Sequence, residues 1–283
     1  MYLIAYYNRL MIKDFFGNDA SILLKKKLFL LDMDGTIYNE NSLFEGSKEF
    51  IEYVNSTGKA VFLTNNSSKS SKAYVEKLTR MGIDANEEDI FSSIDATIIM
   101  LKEKYPNVRV YVQGTKSFIE ELIQSGIKVT TEIEDDIDLV LTGFDTELTF
   151  EKLNKTCEIL TKKDIPYYAT NQDLVCPVNY GFVPDNGSVA MMIQNATGKL
   201  PINIGKPEKT MIELVCKKIG YLKEETVIIG DRLYTDIAAG NNANVDTICV
   251  LSGESTLDDI KTSEYKPTFV FKDIKEILEC IKK

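Results

Sequence analysis

Short apolar runs that end abruptly in acidic or hydroxyl side chains recur along this chain, with helix-like segments between them. Leu28-Phe29-Leu30-Leu31 runs into Asp32, Val61-Phe62-Leu63 into Thr64, and Val227-Ile228-Ile229-Gly230 into Asp231. None of these runs alternates with polar residues, which is the pattern of a strand covered on both faces. Such strands alternating with helices predict parallel βαβ units and an α/β fold. Core strands are expected at 28–31, 60–63, 227–229, 247–251 and 269–271, with helices at 47–56, 69–81, 209–219 and 234–243. Ligands of open α/β sheets bind beyond the C-terminal ends of the strands, where Asp32, Thr64 and Asp231 fall.

A second group occupies the middle of the chain. Strands at 108–112, 129–131, 139–142 and 167–169, with helices at 96–104, 116–125 and 150–163, predict an inserted α/β unit at 84–182. It interrupts a core made of 1–83 and 183–283. The acidic turn Glu132-Ile133-Glu134-Asp135-Asp136 reads as a solvated loop. Residues 1–24 form an extension ahead of the first strand, for which a docked helix is one reading.

Composition narrows the chemistry. The chain has no histidine, which removes Ser-His-Asp and Cys-His catalysis and histidine zinc sites. Acid–base work must fall to Asp, Glu, Lys, Tyr or Cys. A net charge of −10, from 33 basic and 43 acidic residues, argues against nucleic acid as a partner. A metal and a lysine can still reverse the field locally for a phosphate. No apolar stretch is long enough to span a membrane. The N-terminus lacks the basic region of a signal peptide. Cysteines 157, 176, 216, 249 and 280 are odd in number and contain no C-x-x-C, which predicts reduced thiols in a cytoplasmic protein.

Four strand ends carry the chemistry. In Asp32-Met33-Asp34-Gly35-Thr36 two close carboxylates repel unless a cation lies between them, and a hard cation such as Mg²⁺ suits oxygen ligands. The same spacing occurs in metal-dependent glycosyltransferases, an apolar run ending in Asp resembles a Walker B strand, and Asp with Gly also serves turns. Thr64-Asn65-Asn66-Ser67-Ser68 offers a hydroxyl and main-chain N–H groups to an anion, or else caps the next helix. Ile204-Gly205-Lys206-Pro207 puts a lysine before a helix start, with proline suited to the first turn. It is not a Walker A loop, because Pro207 stands at the Ser/Thr position. Lys206 there either holds a phosphate as a point charge or faces solvent. In Gly230-Asp231-Arg232-Leu233-Tyr234-Thr235-Asp236, Asp231 could complete a metal's ligand set, and Asp236 is either a helix-start acid or an outer ligand.

In this order the four pieces resemble the haloacid dehalogenase (HAD) superfamily, and within it the NagD-like, para-nitrophenyl phosphatase branch with a C2-type cap. Asp32-Met33-Asp34-Gly35-Thr36 matches the first family motif, Thr64 the second, Lys206 the third, and Gly230-Asp231-Arg232 with Asp236 the fourth. Leu63-Thr64-Asn65-Asn66-Ser67, Thr142-Gly143-Phe144-Asp145 and Ala169-Thr170-Asn171 carry the resemblance at the level of the branch. It runs from about residue 28 to the C-terminus.

The resemblance implies a Rossmann-like parallel-sheet core with an inserted α/β cap. It implies a Mg²⁺-dependent phosphomonoesterase of small phosphorylated metabolites, with para-nitrophenyl phosphate as a generic substrate and an aspartyl-phosphate intermediate. Asp32 would be the nucleophile and Asp34 the acid–base group. Mg²⁺ would be held by the Asp32 carboxylate, the Asp34 main-chain carbonyl, Asp231 and waters, with Asp236 in or near the shell. Thr64, Asn65, Lys206 and Gly35 would surround the phosphate. Asn171, Asp173 and Tyr180, the last in the loop Asn179-Tyr180-Gly181, are candidate substrate-lining residues of the cap. A homodimer through the cap is also allowed. A phosphotransferase or phosphomutase is the alternative within the superfamily. A phospho-receiver module is the alternative outside it, and chain length, the insert and Asp34 argue against that.

Overall fold

The computed structural model describes residues 12–178 and 180–282 of the 283-residue chain. They fall into two compact units, a first made of 12–63, 75–90 and 207–282, and a second made of 64–74 and 91–206.

The first unit is built on a six-stranded sheet. Its order is Phe269–Phe271, Asp246–Val250, Thr226–Gly230, Leu28–Leu31, Lys59–Thr64, Ile90–Ser92. Leu28–Leu31 lies in the interior, paired in parallel with Thr226–Gly230 on one side and Lys59–Thr64 on the other, and all four of its residues are buried. This double burial is why the run lacks alternation. Phe29 meets Phe50 of the helix Ser47–Thr57 edge to face, with ring centroids 5.9 Å apart. Leu233, Ile237, Cys249, Ile260 and Val270 pack as a further cluster of the same unit. The helix expected at 234–243 opens instead as a π turn, Leu233–Ile237, and becomes α-helical only over Ala238–Ala243.

Of the N-terminal extension, residues 1–11 lie outside the described residues. The rest is not a docked α-helix. It is a turn bridged between Lys13 and Asp19, followed by the 3₁₀ helix Ser21–Lys25. It docks on the edge strand Phe269–Phe271, where the Phe15 N–H donates to the Val270 carbonyl (2.7 Å).

The second unit has a five-stranded sheet in the order Ile202–Asn203, Tyr167–Ala169, Leu139–Thr142, Arg109–Gln113, Lys128–Thr130, with every pair parallel. Its core gathers Tyr111, Val140, Ile159, Leu160 and Tyr167 with Val189 and Ile193. Those last two residues come from the helix Asn186–Thr197, which follows the antiparallel hairpin Val175–Val178/Gly181–Pro184. The unit's bounds therefore differ from 84–182: residues 84–90 belong to the first unit, and the second extends past 182. The helix packs into its core and Ile202–Asn203 pairs with Tyr167–Ala169, which carries the unit to Lys206. Residues 64–74 join it as well, and there the Ser67 hydroxyl accepts from the Phe144 N–H (2.8 Å).

Candidate active site

In the first unit, Asp32 and Asp231 each sit just past a strand. The Asp32 N–H donates to the Ile229 carbonyl (2.8 Å), so the ladder runs one residue beyond Leu31 and fixes where the Asp32 side chain leaves the sheet. Asp231 follows Thr226–Gly230 directly. Asp236 lies in the π turn, a departure from helix geometry that often marks functional sites. One carboxylate oxygen from each of Asp32, Asp231 and Asp236 lies within 4.8 Å of the others. Asp34 is exposed and lies outside that group.

Asp231 is buried to 2% exposure and held tightly. Its Oδ2 accepts from the Glu254 N–H (2.8 Å), whereas its Oδ1 has no hydrogen-bond partner among the described residues. A Cβ on Gly35 or Gly253 would run into this carboxylate, and Gly35 also has φ +86°, which a side chain disfavours. The Ser252 hydroxyl donates to the Gly35 carbonyl (2.7 Å), tying the loop after Asp246–Val250 to the first motif.

Three crowded carboxylates make a strongly negative site. Burial, then Asp32 and Asp236, push the Asp231 carboxyl up to about 8. Burial together with Asp231 and Asp236 pushes the nearby Cys249 thiol up to about 12. Burial works against the Arg232 guanidinium, but Asp32 and Asp231 more than offset it and hold its proton on. Arg232 also pairs with Glu254 (3.0 Å), which accepts from the Tyr234 hydroxyl (2.9 Å). A hard divalent cation fits this donor set. The ligands are all oxygen, and one buried oxygen, Asp231 Oδ1, is unsatisfied among the described residues.

In the second unit, Thr64 ends the strand Lys59–Thr64 and is buried, and its hydroxyl accepts from the Asn66 N–H (3.2 Å). Lys206 is also buried, at 3% exposure. The Asn65 carboxamide is committed to the Lys206 main chain and to Asp173. Asn171 is fully buried, and its amide is spent on Asp173 and Asp185, so it supports the loop rather than lining a surface. Asp173 accepts from both Asn65 and Asn171. Tyr180 is 83% exposed at the tip of the hairpin, and Asn179 lies outside the described residues. Sequence reasoning missed the loop 252–255. Its signal was present, since the apolar run Ile248-Cys249-Val250-Leu251 ends in Ser252-Gly253-Glu254, small and then acidic.

Comparison with known proteins identifies the family. Residues 29–128 match the family described as haloacid dehalogenase-like hydrolase, and residues 203–277 match a HAD-hydrolase-like family. The acid sugar phosphatase of Staphylococcus aureus is 34% identical over 258 residues, covering 91% of this chain and 98% of that protein. The chain belongs to the haloacid dehalogenase-like hydrolases. Among solved structures, the 4-nitrophenylphosphatase of Thermotoga maritima superposes with a TM-score of 0.86 at 38% identity, over 92% of this chain and 99% of that one. A glycerol phosphate phosphatase from Mycobacterium tuberculosis, in complex with magnesium, does so at 0.84 and 26% identity, over 90% and 77%. As a NagD-like member of this family, the protein is a phosphatase of small phosphorylated substrates, and HAD phosphatases depend on a metal.

Proposed function

We propose that the protein hydrolyses phosphate monoesters with Mg²⁺, through an aspartyl-phosphate on Asp32. The observation that carries this reading is the group of Asp32, Asp231 and Asp236 at the strand ends, with a buried Asp231 oxygen left unsatisfied. Asp32, Asp231 and the Asp34 carbonyl would hold the cation, with Asp236 in or near its shell. When bound, Mg²⁺ offsets the repulsion between carboxylate and phosphate. Asp32 attacks phosphorus while Asp34, exposed and outside the carboxylate group, gives a proton to the leaving oxygen. Asp34 then takes a proton from the water that cleaves the acyl phosphate. Thr64, the main-chain N–H group of Asn65 and the Lys206 ammonium would gather the phosphoryl oxygens. Gly35, expected beside them, spends its N–H on the Tyr38 carbonyl (2.8 Å).

Sugar and polyol phosphates come first as substrates, because relatives of this chain are named for acid sugar and glycerol phosphates. Asp173 and Tyr180 are the candidates from the second unit to meet the leaving group. Exposed Phe182, Met191, Met192 and Ile202 support a homodimer through this unit, to be read by sedimentation. Five cysteines without a disulfide support a cytoplasmic setting.

The test is a panel of phosphorylated metabolites with phosphate detection, alongside para-nitrophenyl phosphate. Steady release is expected. Stoichiometric phosphorylation without turnover would instead indicate a receiver module.

A further inference from the structure

The positive charge assigned above to the phosphate sits on Lys206, and one side chain grips the main chain of that residue. The Lys206 N–H donates to Asn65 Oδ1 (2.7 Å), and Asn65 Nδ2 donates to the Lys206 carbonyl (2.8 Å). A carboxamide carries both a donor and an acceptor, so it can satisfy both main-chain groups of one residue as a neighbouring strand would. The two residues are 141 positions apart.

The grip is itself supported. Asn65 Nδ2 also donates to Asp173 Oδ2 (2.8 Å), which accepts a second bond from Asn171 Nδ2 (2.8 Å). Asn171 in turn donates to Asp185 Oδ1 (3.0 Å) and accepts from the Thr170 hydroxyl (3.0 Å). The Asn65 carbonyl accepts from the Ser93 hydroxyl (2.7 Å). Gly205 leaves the room this requires, because a Cβ there would lie 2.5 Å from Asn65 Oδ1 and 2.6 Å from the Thr170 carbonyl oxygen. All of these residues belong to the second unit.

We infer that Asn65, anchored by Asp173, is a positioning residue that fixes the Lys206 main chain and thereby aims its ammonium group. The inference rests on Lys206 being the phosphate-binding lysine. Lysine is a point charge on a flexible stem, so holding its root removes part of the disorder that would otherwise be lost on reaching the transition state. The side chain must be an amide. A carboxylate at position 65 would turn an acceptor toward the Lys206 carbonyl and toward the Asp173 carboxylate, with no hydrogen for either.

A double-mutant cycle on the full chain tests this, with para-nitrophenyl phosphate turnover and inhibition by inorganic phosphate as readouts. Asn65→Ala keeps its main-chain N–H. It is expected to lower kcat/KM about 10²-fold and to weaken inhibition by inorganic phosphate. Asn65→Asp, nearly isosteric and checked for folding by circular dichroism, is expected to lose as much. In a Lys206→Ala background, Asn65→Ala is expected to change kcat/KM by less than about 3-fold, because the group it aims is gone. A merely structural role would cost the same in both backgrounds, so additive losses would overturn the inference. Wild-type kinetics in Asn65→Asp would overturn it too. Wild-type turnover in Lys206→Ala would remove the reading beneath it, and the inference with it.

Discussion

The two halves of the chemistry are built on opposite principles. Around Asp231 the first unit crowds three carboxylates, pushes one of them up to about 8 and leaves a buried oxygen unsatisfied. Around Asn65 the second unit satisfies the whole carboxamide and both main-chain groups of Lys206. Crowded like charges favour an added cation, whereas a satisfied polar network holds its shape unaided. On the proposed function, the first arrangement would receive a cation, and the second would be in place before substrate arrives.

That contrast can be broken in several ways. Asp32→Asn should cost the most. Phosphate release should fall by about 10⁴-fold or more while circular dichroism stays native, and substantial residual turnover would remove Asp32 as nucleophile. Lys206→Ala should lower kcat/KM by about 10²–10³-fold yet leave the Mg²⁺ concentration for half-maximal activity nearly unchanged. Asp231→Asn should do the reverse, raising that Mg²⁺ concentration by about 10–100-fold. If the two variants moved the same parameter, the division of labour would be wrong. The smallest effect is on stability. Without metal, Asp231→Asn relieves like-charge repulsion and should raise the unfolding midpoint by about 2–4 °C. A lowered midpoint under chelation would show that the carboxylate is already balanced.

Much of the first half was legible from sequence because it is local. Asp32 and Asp231 each follow an apolar run that is buried on both faces, and such runs announce strands without any knowledge of their partners. The π turn that carries Asp236 was not legible, since Leu233-Tyr234-Thr235-Asp236 has no pattern that separates it from an ordinary helix start. The second half was legible only as single residues. Thr64 and Lys206 could be named, but the link between positions 65 and 206 is a tertiary hydrogen bond with no trace in either segment. Asn171 and Asp173 looked like loop residues facing a ligand. In the fold Asn171 is fully buried, and both residues serve the Asn65 network. The helix Asn186–Thr197 also escaped notice, because it opens on Asn-Gly-Ser and exposes Met191 and Met192, which obscures its amphipathic face.

The central claim is that Asp32, Asp231 and Asp236 work only around a divalent cation. It is tested most directly by para-nitrophenyl phosphate turnover after exhaustive chelation, followed by titration with Mg²⁺. The account predicts no turnover in the chelated protein and full recovery on titration, with recovery shifted to higher Mg²⁺ in Asp231→Asn. Undiminished turnover after chelation would contradict it.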